Sequence, residues 1–192
     1  MGEVPIYDPT RMFHIQAALT STIKPLHIFS GTFLDVLFGG EGQGDFSPDV
    51  GGVWDPKTKE LHIWGTGDEK WGFTTEEDGG KWAVELVVSE NAEEGGFVSL
   101  SSMECSLNEI REVYEEIRGT KVKVVKRGSV EDLERKVEEK KAGASHWSDW
   151  MRSSFVLCCI KGTWALDRHL IPGFQPSPPE GLKTWLEKHP HD

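Results

Sequence analysis

The chain has 192 residues, 37% of them hydrophobic, with eight Trp and nine Phe, which is too apolar for a disordered chain and enough for one packed core. Its formal net charge of −11 sets an anionic surface against nucleic acid and anionic membrane, so neither is expected as a partner. Three cysteines, Cys105, Cys158 and Cys159, show no metal or redox spacing, and their odd count points to a reducing, cytoplasmic setting rather than a disulfide scaffold.

No apolar run reaches the length of a membrane span, and the first residues lack the pattern of a secretory leader. Asp8-Pro9 opens a helix in which Met12, Ile15 and Leu19 recur at helical spacing, until Lys24-Pro25 stops it. Leu26–Phe29 reads as a short buried strand, and Phe33–Phe38 as a short helix. Residues 39–53 (GGEGQGDFSPDVGGV) are predicted to form a mobile loop over a site, with six glycines and little to pack except Phe46 and the valines. They carry no basic residue and no following Lys-Ser/Thr, so they do not make a phosphate cradle.

Glu60–Trp64 returns as a strand, and Gly65-Thr66-Gly67-Asp68 reverses the chain. Thr75 and Asp78 mark a helix start, with Trp82 and Leu86 on the buried stripe and Ala83 and Val87 flanking it. Gly79-Gly80 inside that helix points to a backbone or ligand close by. Phe97–Ser101 reads as a strand. Ser106 and Glu109 form a capping box ahead of Leu107, Ile110, Val113, Tyr114 and Ile117 on one helical face. Gly119 ends that helix, Lys121–Lys126 alternates as a half-exposed strand, and Ser129–Asp132 caps a third, charged helix. Ser145–Lys161 reads as a largely buried helix. Residues 172–190 comprise a proline-rich connector and a closing helix carrying Leu182, Trp185 and Leu186.

Four passages resemble the C-terminal part of the NmrA-like and isoflavone-reductase-like branch of atypical short-chain dehydrogenases. They are the helix from 8 to 21 leading into KPLHIFSGTFLDVLF, then IWGTGDEKWGFTTEEDGGKWAVELV, GFVSLSSMECSLNEIREVYEEIRG and DRHLIPGFQPSPPEGLKTWLEKH. The second is the most specific, following a G-x-G-x-x-K pattern into T-x-x-D and glycine. The resemblance covers about residues 5–190 and implies an α/β fold: part of a Rossmann-like unit, with a small, mostly parallel sheet, flanking helices and a substrate-binding lobe, read as one domain over 1–192.

Members of the branch hold NADPH on an N-terminal strand–G-x-x-G-x-x-G–helix unit, and many use a lysine in the helix before the strand that corresponds to Leu26–Phe29. The glycine fingerprint is not found in this sequence, and by register the lysine position falls on Met12. The resemblance therefore implies a substrate lobe without a cofactor or metal, with an aromatic pocket formed by Ser30, Thr32, Phe33, Phe38, Phe46, Trp54, Trp64, Trp71, Trp147, Trp150 and Met151. Candidate acids and bases are Asp149, His146 and Asp35, with His27, Asp45, Tyr7 and His14 as further options. His146 and Asp149 lie close together at a helix start, where Asp149 also suits the helix dipole and His146 can simply be solvated.

Two functions follow. One is a cofactor-independent enzyme of secondary metabolism that holds a reactive apolar intermediate and promotes cyclisation or isomerisation by positioning and acid–base assistance. The other is a non-catalytic regulator that acts through protein partners. A sheet missing its neighbouring strands would leave an apolar edge, for which a homodimer is the simplest cover.

Overall fold

The computed structural model describes residues 8–39, 46–165 and 167–190. Tyr7, Asp45 and the centre of the predicted loop, 40–45, lie outside the described residues.

The described residues form three small sheets with helices around them. Helix α1 (Asp8–Thr20) leads to β1 (Leu26–Phe29), β2 (Thr32–Phe33) and α2 (Leu34–Phe38). After a 3-10 turn at Pro48–Val50 come β3 (Trp54–Asp55), β4 (Glu60–Trp64), β5 (Lys70–Thr74) and α3 (Glu76–Val87). Then follow β6 (Gly96–Ser99), β7 (Met103–Ser106), α4 (Leu107–Arg118), β8 (Lys123–Gly128), α5 (Val130–Gly143), α6 (Ser148–Ile160) and α7 (Leu182–Lys188). None of these helices is long and apolar enough to cross a membrane.

β1 pairs in parallel with β6, so that Leu26 faces Gly96 and Phe29 faces Ser99. β5 lies between β2, parallel to it, and β7, antiparallel. β4 lies between β3, antiparallel, and β8, parallel. Pairing is thus mixed: each parallel contact has at least one helix between its partners, as α3 lies between β1 and β6, but β5 and β7 pair antiparallel although α3 also lies between them.

Local capping chemistry sets three of the helix starts. Thr75 Oγ1 accepts from the Asp78 amide at 3.0 Å, and complete capping boxes form at Ser106/Glu109 and Ser129/Asp132. Gly119, at φ 61°, closes α4 in the left-handed conformation that glycine adopts without a Cβ penalty. Gly79 meets the close neighbour expected of it: a Cβ there would lie 3.0 Å from the Phe33 ring. Gly80 does not, having nothing within 4 Å.

Two apolar clusters result. The larger joins Leu34, Leu37 and Phe38 to β4, β5, α4, α5, α6 and α7, with Trp54, Tyr114 and Trp185 around the Phe38 ring. The smaller packs Trp82 and Leu86 of α3 with Val98, Leu100, Ile171 and Phe174 under one face of the β1–β6 pair. Phe46 and Val53 are buried, so these two parts of the predicted loop 39–53 belong to the core.

α1 departs from its expected role. Its stripe of Met12, Ile15 and Leu19 is exposed at 61%, 49% and 79%, and among its residues only Ala17 is buried. Thirteen residues with one buried side chain fall short of what stabilises a helix in water, so its apolar face lacks a covering surface among the described residues.

Candidate functional site

Alternation along β1 decides which side chains reach the site. Leu26 and Ile28 turn into the smaller cluster, which leaves His27 and Phe29 on the opposite face. There they meet Phe97 of β6 and His14 of α1. The Phe97 ring stacks on His27 at 5.1 Å and 16° and on Phe29 at 6.0 Å and 15°.

These residues form one wall of a cavity of about 850 Å³ at the carboxyl end of β1. Carboxyl ends of parallel strands are where open α/β sheets hold ligands, since side chains from several loops converge there. Arg11, His14 and Ile15 of α1 line it, as do the turn Ser30–Thr32, the start of β5 (Lys70, Trp71, Gly72) and Glu104. Phe155 and Cys159 of α6 and the following turn with Trp164 complete it. Phe155 and Trp164 meet edge-on at 4.8 Å and give the cavity an aromatic end.

The polar centre is a pair of imidazoles. His14 Nδ1 lies 3.1 Å from His27 Nε2, so one ring donates and the other accepts, with a single proton held between them. Burial, then the neighbouring His14, holds the His27 imidazole below its ordinary value of 6.5, leaving it neutral and basic at pH 7. At the rim, Lys70 forms an ion pair with Glu109, which raises the lysine and lowers the carboxyl; Lys70 is therefore a fixed cation. The Cys159 thiol is pushed up to about 12 by burial, so it lines the cavity as an apolar group and not as a nucleophile.

The His27 shift has a consequence for stability. Because the folded value lies below the unfolded one, the unfolded chain binds more protons as pH falls below about 6.5, so stability drops in that window and is recovered above it. Urea unfolding of wild type and His27→Phe at pH 7.5 and 5.5 should show the larger acid loss in wild type. A His27 imidazole that titrates by NMR above 6.5 would contradict this.

Of the residues expected from sequence, the structure brings Ser30, Thr32 and Trp71 into the cavity lining, together with His14 and His27. Phe38 and Trp54 are core residues, and Phe46 packs edge-on against Phe155 at 5.7 Å. Trp64 is buried beneath Lys136, whose Nζ lies 5.2 Å from the ring. Phe33 packs beside Gly79. His146 and Asp149 are exposed and outside the cavity lining, where the Asp149 carboxyl accepts the His146 amide at 3.3 Å at the start of α6. The Trp147 and His146 rings meet tilted at 5.1 Å and 40°, Trp150 lies under Lys141, and Met151 is half-buried. Asp35 accepts the Glu76 amide at 2.9 Å and so satisfies a free donor of α3.

Phe29, Phe97, Phe155, Cys159 and Trp164 were not singled out as site residues in the sequence. Strand alternation carried a signal for Phe29. Trp164 lies in a turn after α6 that carries none. Among the described residues no three His, Cys, Asp or Glu side chains are grouped closely enough to hold a metal ion.

No known family profile matches the chain, and no curated protein matches it. Solved structures do. One, reported with the pinoresinol-lariciresinol and phenylcoumaran benzylic ether reductases and related there to isoflavone reductases, superimposes with TM-score 0.66 at 14% identity over 94% of this chain and 56% of its own. A leucoanthocyanidin reductase–NADPH complex from Vitis vinifera gives 0.64 at 15% identity over 95% and 59%. A nucleoside-diphosphate-sugar epimerase from Staphylococcus aureus gives 0.58 at 17% identity over 93% and 57%. At these identities the likeness shows the fold: the chain has the mixed α/β architecture of part of the Rossmann-like isoflavone-reductase fold and spans a little over half the length of these structures.

The NADPH of the Vitis protein prompts a test of fit. A dinucleotide's pyrophosphate needs a glycine turn leading from a parallel strand into a helix N-terminus. Here Gly31 leads from β1 into β2, Gly65 and Gly67 join β4 to β5, and Gly95 precedes β6. Gly128 does end the parallel strand β8 ahead of α5, but as a single glycine at a helix start closed by the Ser129/Asp132 capping box. The described residues do not provide that cradle.

Proposed function

We propose that the cavity binds a flat, largely apolar small molecule and that the His14–His27 pair moves a proton on it, giving isomerisation or cyclisation without a redox cofactor. The observation that carries this reading is an imidazole pair, one member held neutral, in the wall of an aromatic cavity of about 850 Å³. That volume suits a ligand of drug size.

Phe29, Phe97, Phe155 and Trp164 would hold such a ring system and exclude water, while Lys70 at the rim would attract a carbonyl or phenolic oxygen. The pair accepts one proton from an acidic C–H or O–H at an outer ring nitrogen. It then returns one proton to another atom of the substrate. The product is an isomer, and no electrons leave it. Such acid–base assistance typically contributes about 10²–10⁴-fold, with orientation adding to it.

The test uses β-tetralone as a model aryl ketone in D₂O, with deuterium uptake at its acidic carbon followed by NMR. Wild type should speed the exchange over buffer, and His27→Ala and His14→Ala should each lose roughly 10²-fold or more of that gain. Asp149→Ala and His146→Ala should retain it. Exchange no faster than buffer, or undiminished in His27→Ala, overturns the catalytic reading. The exposed face of α1 supports the second reading, a non-catalytic binding protein, which predicts saturable binding of the ketone or none, without turnover.

A further inference from the structure

We propose that the free edge of β1 and the apolar face of α1 form the interface with a second copy of this chain. The inference does not depend on the chemistry proposed for the cavity. It starts from backbone direction. The Gly96 amide donates to Pro25 O and the Leu100 amide to Phe29 O, so residues 25, 27 and 29 spend their backbone groups on β6. Successive residues of a strand point their N–H and C=O to opposite sides, which turns Leu26 and Ile28 toward the other edge. No described strand pairs with that edge.

An uncovered edge beside apolar surface is a pairing template. The surface here is large. Met12, Phe13, Ile15, Leu19 and Ile23 are 49–79% exposed, and Phe29 and Phe97 46–47%. Ile15, Phe29 and Phe97 also line the cavity; at about 200 Å² for a large apolar residue, the other four alone present on the order of 530 Å². This is roughly two thirds of the ~800 Å² per partner of a stable interface, and strand pairing along β1 adds to it.

Charge selects the occupant. The chain carries −11, yet the charges of this face are paired at home, Arg11 with Asp8 and Lys24 with Glu94. A basic or acidic partner gains nothing here, whereas two identical neutral patches meet without repulsion. A short edge also suits a two-fold axis. Antiparallel pairing of β1 with its symmetry mate joins two β1–β6 pairs into one four-stranded sheet. Both α1 helices then lie on the same face of that sheet, against each other. The same contact would hold α1 in place, and with it His14 in the cavity wall.

The experiment is sedimentation equilibrium on the 192-residue chain, paired with amide hydrogen exchange. The expected species has twice the 21.5 kDa chain mass, and exchange at the Leu26 and Ile28 amides slows as protein concentration rises. The double variant Met12→Glu/Leu19→Glu should weaken association at least about 100-fold. Val87→Glu, on the exposed face of α3, should leave it unchanged. A wild-type monomer throughout the micromolar range overturns the proposal, and means that another segment or another protein covers the face. So does a dimer broken by Val87→Glu but not by the α1 variant. The concentration dependence of exchange is read on wild type alone, so a variant that fails to fold does not shield the proposal.

Discussion

Trp82→Ala should lower unfolding stability by about 3–5 kcal/mol, the range for removing a buried indole, and shift the thermal midpoint down by roughly 10 °C for a chain of this size. Trp82 is 1% exposed and is the largest side chain of the smaller cluster, where Leu86, Val98, Leu100, Ile171 and Phe174 have no other aromatic of its size. Its indole nitrogen also donates to Ser177 O at 3.0 Å, tying α3 to the proline-rich connector 95 residues away. Two losses therefore coincide, a cavity and an unpaired carbonyl. Trp82→Phe separates them, since it fills most of the space and loses only the hydrogen bond, and should cost about 1–3 kcal/mol. Urea titration of the three proteins checks the order. Equal losses for Ala and Phe would mean that packing contributes little.

Asp78→Ala should cost about 2–4 kcal/mol, because two donors lose a buried acceptor together. The Asp78 side chain is 4% exposed. One oxygen accepts from Ser102 Oγ at 2.5 Å and from the Glu180 amide at 2.8 Å. The first bond ties α3 to the chain between β6 and β7, and the second fixes the connector where it turns into α7. Nearby, Glu85 accepts the Ser177 amide at 3.0 Å, so α3 holds the connector at three points. With Asp78 removed, limited proteolysis should cut residues 172–181 well before the rest of the chain. A double-mutant cycle with Ser102→Ala should show coupling well above that of distant pairs. A connector that stays as resistant as in wild type would show that the proline-rich backbone holds itself.

Much of the fold was legible where the cause is local. The caps at Thr75, Ser106 and Ser129 and the stop at Gly119 depend on residues within a turn of one another, and each forms as the sequence implies. Strand β7 is not legible in the sequence, because Met103–Ser106 has no β-branched residue and is extended by its pairing with β5. The stripe on α1 was legible as a period but not as a face, because burial depends on what lies opposite. The same limit governs the site. Phe38, Trp54 and Trp64 belong to short elements whose orientation is set by distant partners such as Tyr114, Trp185 and Lys136, and they turned into the core. His146 and Asp149 read as a reactive cluster from spacing alone, yet a helix start uses the same spacing for its own unpaired amides. His27 became prominent only once β6 placed Phe97 against it.

The division of the apolar interior into two clusters has a kinetic meaning. The smaller, Trp82 and five other buried residues, holds β1, β6 and the connector; the larger holds α2, β4, β5 and helices α4, α5, α6 and α7. Cooperative units with less buried surface open at lower free energy. The β1–β6 layer should therefore exchange its amides faster than the layer carrying Phe155 and Trp164, an order that amide hydrogen exchange checks, and the cavity lies between the two.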